Sequence, residues 1–235
     1  MHLEVPLNFA ISYSGGKDSA LALHRMIRQG HKPAALITTV NIEHNRSWFH
    51  GIQDELLQSI SNSLQIPLII CKCTANDYTQ LFENSLEKAR LMGADSCVYG
   101  DIDIGDHREW NEERCQKAGL KCVLPLWRQD RETLVRETIA SGFKALIKIV
   151  DSRKLGDSFL GQILTIPLIE EIKNAGVDVC GENGEYHTFV YDGPVFKSPV
   201  AFETGKPIDF GAHKAIEITP KLISKAGSAC QSRSE

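Results

Sequence analysis

The string Ser14-Gly15-Gly16-Lys17-Asp18-Ser19 joins two glycines, a lysine and two hydroxyls, the groups that hold an anion. Adjacent glycines permit positive φ and let backbone N–H groups approach a phosphate with no Cβ in the way. Lys17 adds a point charge, and Ser14 and Ser19 add hydroxyl donors. The string is not a Walker A loop. That pattern needs glycine at position 11, where Ile11 stands, and Ser or Thr after the lysine, where Asp18 stands. A bare glycine pair before a helix can be a plain turn, but the full string points to an anion site.

A second concentration of polar groups lies at Gly181-Glu182-Asn183-Gly184-Glu185-Tyr186-His187-Thr188, with two carboxylates and an imidazole. A loop this polar can simply turn. Because it runs into the β-like Phe189-Val190-Tyr191, it can also present its acids from a rigid scaffold. A third polar stretch, Asp106 to Glu112, includes Arg108 and Glu112 as candidate binding residues. Their i,i+4 spacing equally suits a solvated surface pair.

These residues need elements to hold them. Phe9-Ala10-Ile11 reads as a strand that stops at the glycine loop, and a helix follows to Gln29-Gly30. Ala34 to Val40 is a second strand, and Ile52, Leu56, Ile60 and Leu64 give the next helix one buried stripe. Pro67 to Ile70 makes a third strand, with a helix marked by Phe82, Leu86 and Ala89 ending near Gly93. Cys97-Val98-Tyr99 leads into Gly100-Asp101-Ile102, a polar helix covers 107–118, and Cys122-Val123-Leu124 is a fifth strand.

Such alternation predicts an α/β fold with a five-stranded, parallel, doubly wound sheet of order 3-2-1-4-5. After Trp127 come a helix over 131–141, a strand over 145–150, a helix over 167–175 and β-like segments. The expected division is 1–127 for the first domain and 128–235 for a smaller α+β domain. Residues 226–235 read as a frayed polar tail.

In that sheet the first and fourth strands are neighbours, and ligands sit in the crevice beyond their ends. Asp101 then lies across from the glycine loop, where it suits Mg2+ or a ribose hydroxyl, and Gly100 leaves room for a nucleotide. A helix cap or turn is the plainer reading of Asp101.

The chain has 235 residues, 42% hydrophobic and 24% charged, with a net charge of -4. An acidic balance argues against nonspecific nucleic-acid binding, which needs cationic excess. No apolar run spans a bilayer and the start lacks a signal peptide, so a cytoplasmic location is expected. Seven scattered cysteines read as reduced thiols rather than a disulfide framework.

The loop at 14–19 resembles the signature of the PP-loop ATP pyrophosphatases, with their Rossmann-like, adenine nucleotide alpha hydrolase-like fold. That resemblance implies that Ser14, Gly15, Gly16, Lys17, Asp18 and Ser19 bind the pyrophosphate end of MgATP, and that Gly100, Asp101 and Ile102 complete the nucleotide site. Taken with Pro125-Leu126-Trp127 and Gly181 to Thr188, the chain resembles the diphthine-ammonia ligase branch over nearly its whole length. The branch implies ATP-dependent adenylation of a carboxylate, release of pyrophosphate, and displacement of AMP by ammonia.

Lys17, Asp18, Glu182 and Glu185 are then the catalytic candidates, with Asn183, Gly184, His187 and Thr188 toward the substrate. The branch pattern carries glycine where Asn183 stands and a second acid where His187 stands. This variant resembles a prokaryotic subgroup linked to cobalamin-related metabolism, whose acid substrate is not diphthine. The alternatives are a tRNA-modifying PP-loop enzyme and a non-catalytic adenine-nucleotide sensor. Cys71-Lys72-Cys73 is too close for paired metal-site cysteines. A homo-oligomer stays open.

Overall fold

A computed structural model describes residues 5–221. The tail expected over 226–235 lies outside the described residues, as does Cys230. In chain order the elements of the first half are β1 Asn8–Ser12, α1 Lys17–Arg28, β2 Lys32–Asn41, β3 Arg46–Ser47, α2 Asp54–Leu64, β4 Leu68–Cys73, α3 Tyr78–Leu91, β5 Ser96–Val98, α4 Gly105–Ala118 and β6 Lys121–Val123. The second half adds α5 Arg131–Ala140, β7 Lys144–Asp151, α6 Ile166–Asn174, β8 Tyr186–Asp192, β9 Phe202–Asp209 and β10 His213–Pro220.

β4, β2, β1, β5 and β6 lie side by side and parallel, which is the expected 3-2-1-4-5 order. The short β3 was not anticipated. It pairs antiparallel with Val40 and Asn41 of β2, beyond the point where β1 ends. β1 is central because Phe9, Ala10 and Ile11 are fully buried on both faces, as strands between two helical layers must be. Each such large side chain contributes roughly 1.5–3 kcal/mol of burial.

Helix ends follow local chemistry. α1 runs out at Gln29 before Gly30, whose φ of +88° suits glycine. The Asp130 side chain accepts from Thr133 N–H to start α5, and Thr165 caps α6 just ahead of Pro167.

The second sheet is antiparallel, in the order β8-β7-β10-β9. Its inner residues Ile147, Phe189 and Ile218 join the same hydrophobic core as Phe9, Leu21 and Leu56 of the first half. A separate core under α3 and α4 covers the other face of the parallel sheet. α5 packs against α1, where Arg25 pairs with Glu137. Among the described residues no helix is long and apolar enough to cross a membrane.

Candidate active site

The glycine loop leaves β1 and enters α1 with φ +82° at Gly15. A Cβ there would stand 2.5 Å from Ile52 Cδ1, and one on Gly16 would stand 2.4 Å from the His50 ring. The positive φ calls for glycine at 15, and the His50 ring, tied to Thr188 O, calls for it at 16. Ser14 Oγ accepts the Gly16 N–H at 3.3 Å, and the Ser19 hydroxyl donates to Gly16 O at 2.9 Å, so these side chains fix the loop's shape. The amides of Asp18 and Ser19 open α1, where first-turn N–H groups have no intrahelical acceptor.

Three bonds join this loop region to the second sheet. Lys17 N–H donates to Thr188 Oγ1 at 3.0 Å, Val190 N–H donates to Gly15 O at 2.8 Å, and His50 Nδ1–H donates to Thr188 O at 2.7 Å. The last bond assigns the proton of neutral His50 to Nδ1 and leaves Nε2 as acceptor.

Lys17 is buried, with its ammonium 2.7 Å from Asp18 Oδ2, 3.9 Å from Glu182 Oε1 and 5.8 Å from the centre of the Tyr186 ring. Burial alone would weaken its charge, but Asp18 and its other neighbours outweigh burial and hold the ammonium well above its ordinary pKa. Burial first, then the Asp18 charge, push the Glu182 carboxyl up to about 7. Asp18, Cys180 and Glu182 place one donor atom each within 4.8 Å of one another. Burial pushes the Cys180 thiol up strongly, so it stays protonated.

Asp101 stands across the cleft, as expected from the strand order. Its oxygens are engaged by His107 Nδ1 at 3.0 Å and Asn111 Nδ2 at 2.9 Å. The Asp101 hydrogen bond raises the His107 pKa. Gly100 lines the cleft and also admits the first turn of α1, since a Cβ on it would stand 2.9 Å from the backbone of Asp18 and Ser19. Ile102 is buried, and its carbonyl accepts the Arg128 N–H at 2.7 Å.

A cleft of about 360 Å3 brings together Ser14, Lys17, Asp18, Ser19, Gly100, Asp101, Glu182, Gly184, His187 and Thr188. An adjoining cavity of about 260 Å3 is walled by Phe49, Tyr78, Phe82, Tyr99 and Trp110.

Seven expected site residues lie outside both linings: Gly15, Gly16 and Ile102, and with them Arg108, Glu112, Asn183 and Glu185. Arg108 and Glu112 pair with each other at 2.6 Å on the exposed side of α4, with Arg108 over the Trp127 ring. Glu185 is buried and accepts the Asn183 N–H at 3.1 Å, which shapes the turn. Asn183 itself accepts from Arg131 at 3.2 Å. His50, Cys180, His107 and Asn111, with Phe49 and Tyr78 of the aromatic cavity, are among the site residues that the sequence did not single out. His107 and Asn111 carried a signal in the polar start of α4, whereas His50 and Cys180 carried none.

The model of the diphthamide synthase N-terminal domain matches residues 7–122, and that of the C-terminal domain matches residues 130–218. Curated relatives include the diphthine--ammonia ligases of Rattus norvegicus, 28% identical over 86% of this chain and 85% of the relative, and of Homo sapiens, 26% identical over 86% and 85%. The crystal structure of a predicted subunit of tRNA methyltransferase from Methanocaldococcus jannaschii covers 83% of this chain and 100% of its own. It does so at 16% identity and a TM-score of 0.41, too loose a likeness to bear on function. The two domain matches, which between them take in the glycine loop and the acidic turn facing it, establish that this chain belongs to the diphthamide synthase family.

Proposed function

We propose that this protein is an ATP-dependent ligase that adenylates a carboxylate, releases pyrophosphate and forms an amide with ammonia. The observation that carries the reading is the seating of Lys17, buried at the start of α1 between Asp18 and Glu182 at the floor of the cleft. A lysine there, with first-turn amides beside it, holds the β and γ phosphates through charge and N–H donors. The aromatic cavity next to it takes the adenine base, with Asp101 toward the ribose.

The substrate carboxylate attacks the α phosphorus, the bond to the bridging oxygen of pyrophosphate breaks, and an acyl adenylate forms. Ammonia then attacks the acyl carbon and AMP leaves, so a poor leaving group is exchanged for a good one. Lys17 and the loop stabilise charge gathering on the pyrophosphate.

Asp18 and Glu182 fit a magnesium ion. They offer two carboxylates in reach of one point, and the Asp18 charge that adds to burial in raising Glu182 is relieved by a divalent cation. The Cys180 thiol is no magnesium donor. A Mg2+ ion held there would neutralise the departing pyrophosphate. Asp101, with both oxygens engaged, is assigned to the nucleotide rather than the metal.

Thiolation of tRNA is disfavoured because Cys180, the cysteine at the cleft, is buried and held as a thiol. We retain the division 1–127 and 128–235 as a proposal, although α5 packs back on α1 across it. A cytoplasmic location belongs to the same proposal, in keeping with six unpaired cysteines among the described residues.

Exchange of labelled pyrophosphate into ATP tests the reading, because adenylation is reversible before ammonia enters. Exchange that needs a small-metabolite extract and does not need ammonium supports it; exchange absent from extracts that still support turnover refutes it.

A further inference from the structure

Lys148 is a buried cation without a partner. It lies in β7 at 2% exposure, and among the described residues its ammonium has neither a hydrogen bond nor an ion pair. The register explains how it came to be aimed off the sheet. Ile147 pairs with Thr188 and Ile149 with His187, so Lys148 is the extra residue of a bulge, a device that redirects a side chain.

The ammonium ends beside the loop that carries His50. A Cβ on Gly51 would stand 3.2 Å from Lys148 Nζ, so glycine at 51 leaves room for the charge. The acid in its vicinity, Glu217 of β10, is committed to Arg46 at 3.1 Å. On the cleft side, the His50 and His187 rings meet edge to face at 5.2 Å between centroids, and both line the cleft.

The lysines that act on His187, Lys17 and Lys148, are both positive. Together with burial they hold its imidazole down at about 4. Burial, the His187 ring and the two lysines likewise lower His50. A desolvated corner whose own lysine, Lys148, has no ion pair among the described residues favours an anion and rejects a cation.

We propose that the cleft binds a carboxylate of the acid substrate against the His50 and His187 rings, with Lys148, which lies beside the His50 loop and just outside the cleft lining, as its counter-charge. Naming that ligand a substrate rests on the ligase reading above; the anion site itself rests on Lys148. Taking a buried ammonium from unpaired to paired offsets part of its desolvation cost, which is the source of affinity.

The test is NMR of the full chain labelled at the lysine ε carbon, titrated with pH in the absence and presence of millimolar succinate. One lysine titrating near pH 8, absent from Lys148→Met, is the reporter. Succinate should raise its midpoint by about one unit or more, the sign of a new opposite charge close by. His187→Glu supplies an internal counter-ion, so it should raise the midpoint without succinate and abolish the response to it.

A midpoint unmoved by succinate, or imidazole signals that shift equally in Lys148→Met, would overturn the proposal. MgATP is titrated separately. Nucleotide binding without a succinate response removes this inference alone, while a succinate response without nucleotide binding removes the ligase reading and leaves the anion site standing.

Discussion

The backbone N–H of Lys17 donates to the side-chain oxygen of Thr188 at 3.0 Å, across 171 positions of sequence. One donor of the phosphate-type loop is thus spent on holding the second sheet in register with the first. Both the geometry of the cleft and the joint between the sheets depend on it.

Thr188→Val keeps the shape and removes the acceptor. The Lys17 N–H is then left buried and unpaired, at a cost of about 1–3 kcal/mol. Thermal unfolding should shift down by roughly 2–10 °C for a chain of this size. An unchanged midpoint would show that the bond does not couple the sheets.

Gly100→Ala puts a Cβ 2.9 Å from the backbone of Asp18 and Ser19. Backbone at a helix start cannot yield cheaply, so the change should cost about 1–3 kcal/mol. It should also weaken nucleotide binding by roughly tenfold, which is about 1.4 kcal/mol. Gly105→Ala is the control, since nothing lies within 4 Å of its added carbon. Calorimetric titration with ATP compares the two.

Cys180 touches Asp18 but is buried and protonated. Cys180→Ala should leave turnover within about threefold, because a thiol lacks the nucleophilicity of a thiolate. Loss of turnover with a folded variant would return sulfur chemistry to consideration.

The pH dependence of stability reports on Lys148. Burial first, and Arg46 second, lower its pKa to about 8, so between roughly pH 8 and 10.4 the unfolded chain binds more protons than the folded one. Stability therefore rises with pH through that window, and below it the folded state carries the full penalty. Lys148→Met should be more stable than the parent at pH 7, by on the order of 2–3 kcal/mol. The gap should close as the pH passes 10. Urea unfolding at pH 7 and pH 10 measures it, and a gap that does not change with pH would show that Lys148 is not desolvated.

The parallel sheet was readable because each of its strands is a short apolar run bounded by a turn and followed by a helical stripe. β9 was not, since most of its residues are exposed and it lacks an alternating apolar signal. The two-residue β3 and the bulge at Lys148 leave no periodic trace at all. The polar helix α4 shows the same limit within the site. Its few apolar residues, Trp110, Cys115 and Ala118, give no continuous stripe, so spacing could not tell that His107 and Asn111 face Asp101 while Arg108 and Glu112 pair on the outer side. Glu182 and Glu185 look equivalent in sequence, yet the turn that exposes one to the cleft buries the other against Asn183.

The central claim is that ATP is split between its α and β phosphates on the loop that carries Lys17. Phosphorus NMR of the purified protein with MgATP, ammonium and a small-metabolite extract, each left out in turn, tests it directly. AMP and pyrophosphate should appear only when all are present, and Lys17→Ala should slow their appearance by roughly 10²–10³, the size of losing one preorganised donor. ADP and phosphate as products, or turnover by Lys17→Ala within about threefold of the parent, would contradict it.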